Sequence, residues 1–171
     1  MSFNRYLFSS ATGEWGTPQT LYAVLNAEFS FTLDACATGE NAKAPHYYSE
    51  GSLDKPWEGV VWCNPPYGRE IGAWIQKGYE AARNGATVVM LLLSRTDTRW
   101  FADYVMKSSE IRFIKGRLRF NGARNSAPFP SMIVVFDSSG NEHPRIRLQV
   151  PAMGQKGGPL PVATEGSTYG V

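Results

Sequence analysis

Hydrophobic residues along the chain follow two different periods, which distinguish helices from buried strands. Apolar side chains recur at helical spacing after Thr17-Pro18 and again across residues 70–83. Continuous apolar runs, which are typical of strands buried on both faces, occupy residues 60–63 and 87–93. Helices that alternate with buried strands predict an α/β fold with a mostly parallel sheet and helices on both of its faces.

Capping residues and shorter apolar runs predict the remaining elements. Thr17 before Pro18 is typical of a helix N-cap, and Thr96 or Asp97 is expected to cap a helix that turns Phe101 inward. Short strands are predicted at residues 31–33, 46–48, 110–114, 117–120 and 131–136. Glycine-bearing turns separate the last three strands, which favours an antiparallel C-terminal end of the sheet.

Length and composition favour a single domain. A chain of 171 residues that is 43% hydrophobic fits one compact core better than two. Residues 1–14 lack periodicity and are expected to form an irregular lead-in to a domain over residues 15–150. Residues 151–171 are rich in glycine and proline, and we expect them to form a flexible tail.

The apolar runs and the cysteines indicate the compartment. The longest apolar stretch, residues 88–93, is too short to cross a bilayer. Cys36 and Cys63 lie in neither a CxxC motif nor a histidine-rich cluster of metal-ligand spacing. We therefore expect a cytoplasmic protein that binds no membrane and no metal, and the sequence leaves its oligomeric state open.

Charge is distributed unevenly along the chain. Residues 1–94 carry 6 Lys and Arg against 9 Asp and Glu, whereas residues 95–171 carry 11 against 6. Positive charge is densest in a stretch without acids and with interleaved phenylalanines, at Arg112, Lys115, Arg117, Arg119 and Arg124. This pattern is typical either of a surface that binds a phosphate backbone or of a solvated strand face.

The motif with the clearest chemistry is Asn64-Pro65-Pro66-Tyr67, directly after the predicted strand at residues 60–63. Ligands of open α/β sheets bind beyond the carboxyl ends of the strands. If the Asn64 side-chain oxygen and the Pro65 carbonyl each accept a hydrogen from an aromatic amine, its lone pair is directed at an electrophile. Tyr67 would then stack on the base. The structural alternative is a proline-rich turn after a strand.

Several further motifs accompany this tetrapeptide in a fixed order. They are Trp15-Gly16-Thr17-Pro18, Asp34-Ala35-Cys36-Ala37, Arg95-Thr96-Asp97-Thr98-Arg99 and Lys115-Gly116-Arg117-Leu118-Arg119-Phe120. Over residues 15–137 the chain resembles the phage-type DNA N6-adenine methyltransferases of the Dam-like family. The resemblance implies a Rossmann-like S-adenosylmethionine-dependent methyltransferase fold. It also implies site-specific methyl transfer to adenine N6 in DNA, in a bacterial or phage-infected cell.

The resemblance assigns roles to individual positions. Catalysis is implied for Asn64, Pro65, Pro66 and Tyr67. S-adenosylmethionine binding is implied for Trp15, Thr17, Pro18, Asp34, Ala35, Cys36 and Asp54. Only 26 residues separate Ala37 from Asn64, so recognition elements must lie downstream. DNA contacts are therefore expected at Arg95, Thr96, Asp97, Arg99, Lys115, Arg117, Arg119 and Arg124. The alternative is a purely structural role in turns or helix caps for Asp34, Asp54, Asp97 and Thr96.

Other functions share parts of this pattern. Cytosine C5 methylation requires a cysteine nucleophile after a proline, whereas Cys63 precedes Asn64. Cytosine N4 methyltransferases usually carry serine at the position of Asn64. Protein glutamine methyltransferases share the tetrapeptide, although the basic C-terminal half favours nucleic acid. A degenerate nucleic-acid-binding module is the non-enzymatic alternative, against which the intact tetrapeptide argues.

Overall fold

The computed structural model describes residues 15–121, 123–139 and 143–149, so the predicted lead-in 1–14 and tail 151–171 lie outside the described residues. The helices in the described part are α1 (Gln19–Phe29), α2 (Ile71–Arg83) and α3 (Arg99–Asp103). The strands there are β1 (Leu33–Asp34), β2 (His46–Tyr47), β3 (Val60–Cys63), β4 (Thr87–Leu93), β5 (Glu110–Ile114), β6 (Ser131–Phe136) and β7 (Arg145–Gln149). Short 3₁₀ turns occupy Ser52–Asp54 and Val105–Lys107.

The described strands form one sheet in the order β2-β1-β3-β4-β6-β5-β7. Strand β6 runs antiparallel to both of its neighbours, and every other pair is parallel. This topology confirms the predicted α/β fold with a mostly parallel sheet. The antiparallel part near the C-terminus is β6 alone, which lies between β4 and β5, while β7 extends the sheet in parallel.

Helices α1 and α2 cover opposite faces of the sheet. Trp62 of β3 is aligned with Val89 of β4, so both side chains point to the same face, and Tyr22 of α1 contacts the Trp62 ring there. Met90 points the other way and packs against Gly78 of α2. A Cβ atom at residue 78 would lie 2.9 Å from the Met90 sulfur, so glycine allows this helix to approach the sheet closely.

The apolar runs give the most accurate predictions. Strands β3, β4, β5 and β6 have the predicted bounds, and α2 starts within one residue of its predicted start. The predicted strand at residues 117–120 is wrong. Leu118 and Phe120 alternate inward with exposed Arg117 and Arg119, but this stretch is an extended loop outside the sheet.

The predicted helix caps are also wrong. Pro18 is the N-cap of α1 and Thr98 is the N-cap of α3, and neither makes a side-chain capping bond. Asp97 instead pairs with Arg95 at 3.0 Å on the exposed loop before α3. Thr17 precedes the cap and uses its hydroxyl in the cavity described below.

Arg112 does not belong to the basic surface in which the sequence pattern included it. The buried guanidinium of Arg112 donates to both carboxylate oxygens of Glu28 at 2.6 and 2.7 Å and to Glu110 at 3.1 Å. The bonds from Arg112 lower the pKa of Glu28. Arg112 therefore connects α1 to β5, and its charge is not available to a phosphate.

Candidate active site

A cavity of about 450 Å³ opens at the carboxyl ends of β1 and β3. Its volume lies in the range of about 300–1,000 Å³ that is typical of small-molecule sites. The cavity brings together these residues predicted from the sequence: Trp15, Thr17, Asp34, Cys36, Asp54, Asn64, Pro65 and Pro66. Their individual roles stay predictions, but the structure joins segments that are distant in sequence into one wall.

Three of the residues predicted for catalysis or cofactor binding do not line this cavity. Pro18 is the N-cap of α1, and Ala35 is fully buried, with its N–H donating to the Trp62 carbonyl at 2.9 Å. Tyr67 lies in the core. Conversely, Lys43 and Asn121 line the cavity although sequence reasoning gave neither a role. Lys43 follows the predicted cofactor loop closely, whereas the sequence near Asn121 carries no signal for its position.

Asn64 has a defined orientation at the cavity wall. Its Nδ2 donates to the Trp15 carbonyl at 2.5 Å and to the Thr17 hydroxyl at 3.1 Å. A carbonyl oxygen only accepts, so the nitrogen of the Asn64 amide must be the atom on that side. Its Oδ1 is buried and has no hydrogen-bond partner among the residues that the structure describes. Asn64 therefore holds an acceptor that no described residue uses.

The two prolines restrict the chemistry of the same wall. Pro65 and Pro66 line the cavity immediately after β3, and proline has no backbone N–H. Their peptide groups supply acceptors without donors. Together with the free oxygen of Asn64, this composition suits a ligand group that donates two hydrogens, such as an amine.

Asp34 places a carboxylate at the end of β1. Its Oδ1 accepts from the Cys36 N–H at 3.3 Å, and its Oδ2 accepts from the Lys43 N–H at 3.1 Å. Asp34 is only 2% exposed. Burial raises its pKa from the ordinary 3.8 to about 6, although both N–H donors and the Lys43 charge act in the opposite direction. A cationic ligand group beside Asp34 would offset this burial cost.

Tyr67 belongs to an aromatic cluster behind the cavity wall. Its ring meets those of Phe129 and Phe120 edge-on, with centroids 5.6 and 6.4 Å apart, and both phenylalanines also contact Trp15. The Tyr67 hydroxyl donates to the Leu91 carbonyl at 3.3 Å. Burial raises the pKa of this hydroxyl well above its usual value. Stacking of Tyr67 on a base stays a prediction.

The predicted DNA-contact residues are exposed and lie outside the cavity. One group occupies the loop and first turn after β4, namely Arg95, Thr96, Asp97 and Arg99. The other follows β5, namely Lys115, Arg117, Arg119 and Arg124. Because Leu118 and Phe120 point inward, the side chains between and beside them are directed to solvent. This arrangement suits contact with an extended anion.

Two further searches concern metals and membranes. Among the described residues, no group of three or more His, Cys, Asp or Glu side chains is arranged to hold a metal ion. In the same part of the chain, no helix has the length and apolar character needed to cross a bilayer.

Comparison with known proteins gives a consistent result. Residues 7–152 match the family described as DNA N-6-adenine-methyltransferase (Dam). The chain is also similar to the DNA N-6-adenine-methyltransferase of Haemophilus phage HP1 (strain HP1c1). The two are 28% identical over 134 residues, which cover 72% of this chain and 78% of the relative. The resemblance seen in the motifs is thereby confirmed: the chain belongs to the DNA N-6-adenine-methyltransferase family, whose reaction is the methylation of adenine in DNA.

Proposed function

We propose that this protein transfers the methyl group of S-adenosylmethionine to the N6 amine of adenine in DNA, with Asn64 accepting a hydrogen from that amine. The observation that carries this proposal is that Asn64 lines the cavity and that its buried Oδ1 has no hydrogen-bond partner among the described residues. An acceptor left in this state is costly, and a donated amine hydrogen would satisfy it.

Asn64 and Pro65 would act on the nucleophile. The lone pair of adenine N6 is delocalised into the ring, which makes the amine a poor nucleophile. If Asn64 Oδ1 and the Pro65 carbonyl each accept one amine hydrogen, the lone pair is oriented toward the methyl donor. As the new N–C bond forms, the bond between the methyl carbon and the sulfonium sulfur would break and leave a thioether, and the nitrogen would lose one proton through these acceptors to solvent.

The cavity residues fit S-adenosylmethionine. Asp34 is the buried carboxylate expected near the positively charged methionine end, and Asp54 on the cavity rim is expected to accept from the cofactor adenine. Trp15, Thr17 and Cys36 would complete this part of the wall. When bound, S-adenosylmethionine supplies an electrophilic methyl group on a sulfonium.

DNA would be held by the two exposed groups that follow β4 and β5. Lys115, Arg117, Arg119 and Arg124 are expected to contact phosphates, which position the duplex without reading its sequence. Arg95 and Arg99 lie on the loop and helix after β4, where contacts around the flipped adenine are expected. We expect a preference of about one to three bases around the adenine.

The decisive experiment follows labelled methyl from S-adenosylmethionine into unmethylated DNA and then identifies the labelled nucleoside. N6-methyladenine is the expected product, and Asn64→Ala provides the inactive control. Label in N4-methylcytosine would show that the target base is cytosine, which contradicts the proposed methylation of adenine. Label in protein rather than DNA would support a glutamine methyltransferase and contradict the proposal.

A further inference from the structure

The amide of Asn64 is held by a chain of hydrogen bonds that ends at Asn121. Asn64 Nδ2 donates to the Trp15 carbonyl and the Thr17 hydroxyl. Asn121 binds the same short segment twice. Its backbone N–H donates to the Gly16 carbonyl at 2.8 Å, and its side-chain Nδ2 donates to the Thr17 carbonyl at 2.8 Å. Residues that lie far apart in sequence are thus connected in series.

We infer that Asn121 is a positioning residue for methyl transfer, because it holds residues 15–17 in the place from which they orient the Asn64 amide. This inference rests on the proposed function, in which Asn64 Oδ1 accepts from the target amine. A carboxamide can rotate by half a turn and exchange its oxygen and nitrogen. Rotation of Asn64 would present donors to an amine that also donates. The Trp15 carbonyl, which can only accept, prevents this orientation, and the Thr17 hydroxyl accepts from the same Asn64 nitrogen.

Loss of the Asn121 side chain should loosen the segment without removing it. The backbone N–H of residue 121 still binds the Gly16 carbonyl in any variant except proline. The Trp15 ring also remains packed against Phe120 and Phe129, with centroids 5.2 and 5.3 Å apart. These contacts predict that Asn121→Ala folds. Its main defect should be a less fixed orientation of the Asn64 side-chain amide.

The kinetic test compares Asn121→Ala with Asn125→Ala, a matched change at an exposed asparagine nearby. Loss of one orienting bond should lower kcat at saturating S-adenosylmethionine about tenfold in Asn121→Ala. Cofactor affinity should fall less, because Trp15 and Thr17, which are held through Asn121, also line the cofactor cavity. The Asn125→Ala control should keep the parental kcat. An unchanged kcat in Asn121→Ala would overturn the inference. A loss of cofactor affinity larger than the loss of kcat would also overturn it, because Asn121 would then act mainly on cofactor binding.

A second measurement reads the orientation of Asn64 without any reaction. In the ¹⁵N-labelled full chain, the side-chain amide signals of Asn64 are identified by their loss in Asn64→Ala. Thr17→Val and Asn121→Ala should shift these signals and accelerate their hydrogen exchange, whereas Thr17→Ser should restore the parental spectrum. Parental signals in both Thr17→Val and Asn121→Ala would refute the positioning role. If the parent protein methylates no DNA, the proposed function is wrong. The spectrum still tests whether Thr17 and Asn121 orient the Asn64 amide, because it requires no reaction.

Discussion

Replacement of Asp34 by asparagine should change how the stability of the protein depends on pH. The buried carboxylate of Asp34 has its pKa raised to about 6, against an ordinary 3.8. At about 1.36 kcal/mol for each pKa unit, ionisation of Asp34 in the folded protein costs about 3 kcal/mol. Asparagine has the same shape and carries no charge, so the variant does not incur this cost as the pH rises.

The sign of the effect follows from proton binding. Below the ordinary pKa, Asp34 is protonated in both the folded and the unfolded protein, and its contribution to stability is fully present. Between pH 3.8 and about 6 the unfolded chain releases the proton while the folded protein retains it, so the contribution is lost as the pH rises. The free energy of unfolding of the parent minus that of Asp34→Asn should fall by about 3 kcal/mol across this window.

Urea unfolding of both proteins without ligand, followed by tryptophan fluorescence from about pH 4 to about pH 7, measures this difference. Taking the difference between the two proteins removes the contributions of the other carboxylates, which are common to both. A difference that stays constant over this range, or that grows as the pH rises, would refute the conclusion that burial raises the pKa of Asp34.

Four further predictions concern ligands. S-adenosylmethionine should bind about tenfold more weakly for each pH unit below about 6, because Asp34 must first lose its proton. A dissociation constant that calorimetry finds independent of pH in this range would contradict this prediction. Asn64→Ala should abolish methyl transfer while cofactor affinity changes only a few-fold, and a lost affinity would reassign the residue. Tyr67→Ala should lose most activity in a methyl-transfer assay, whereas Tyr67→Phe should keep much of it; equal damage would show that the hydroxyl, which donates to the Leu91 carbonyl, matters as much as the ring. The double variant Lys115→Ala with Arg117→Ala should flatten the dependence of log DNA affinity on log salt by up to roughly two units, and a parental slope would show that both only solvate the surface.

The parts of the fold that were predictable from sequence are those where burial alone determines the pattern. Residues 60–63 and 87–93 are apolar because both faces of the sheet are covered there. Strand β7 gave no comparable signal, since its Ile146 and Leu148 are 59% and 64% exposed. The alternation in residues 117–120 was misleading because an extended loop packed on an aromatic cluster has the same period as a strand.

The chemistry of the site was predictable only where it is local in sequence. The tetrapeptide that begins at Asn64 carries its own geometry, and its position after a buried strand indicated the cavity. Contacts between residues that are distant in sequence produce no local motif from which they could be predicted. Asn121 lies 104 residues from its partner Thr17, and Arg112 lies 84 residues from Glu28. Counting charges along the chain therefore assigned Arg112 to the surface, because a count does not reveal which charges are paired inside the fold.

The buried oxygen of Asn64 lowers the stability of the fold, because no described residue donates to it. A buried acceptor without a donor costs about 1–3 kcal/mol, which is a large share of the roughly 5–15 kcal/mol that stabilises a typical domain. A replacement that removed this acceptor would also have to supply a donor to the Trp15 carbonyl, to which Asn64 Nδ2 donates. Such a residue would stabilise the fold, whereas the target amine requires the acceptor. Selection for melting temperature and selection for methyl transfer therefore act in opposite directions at position 64.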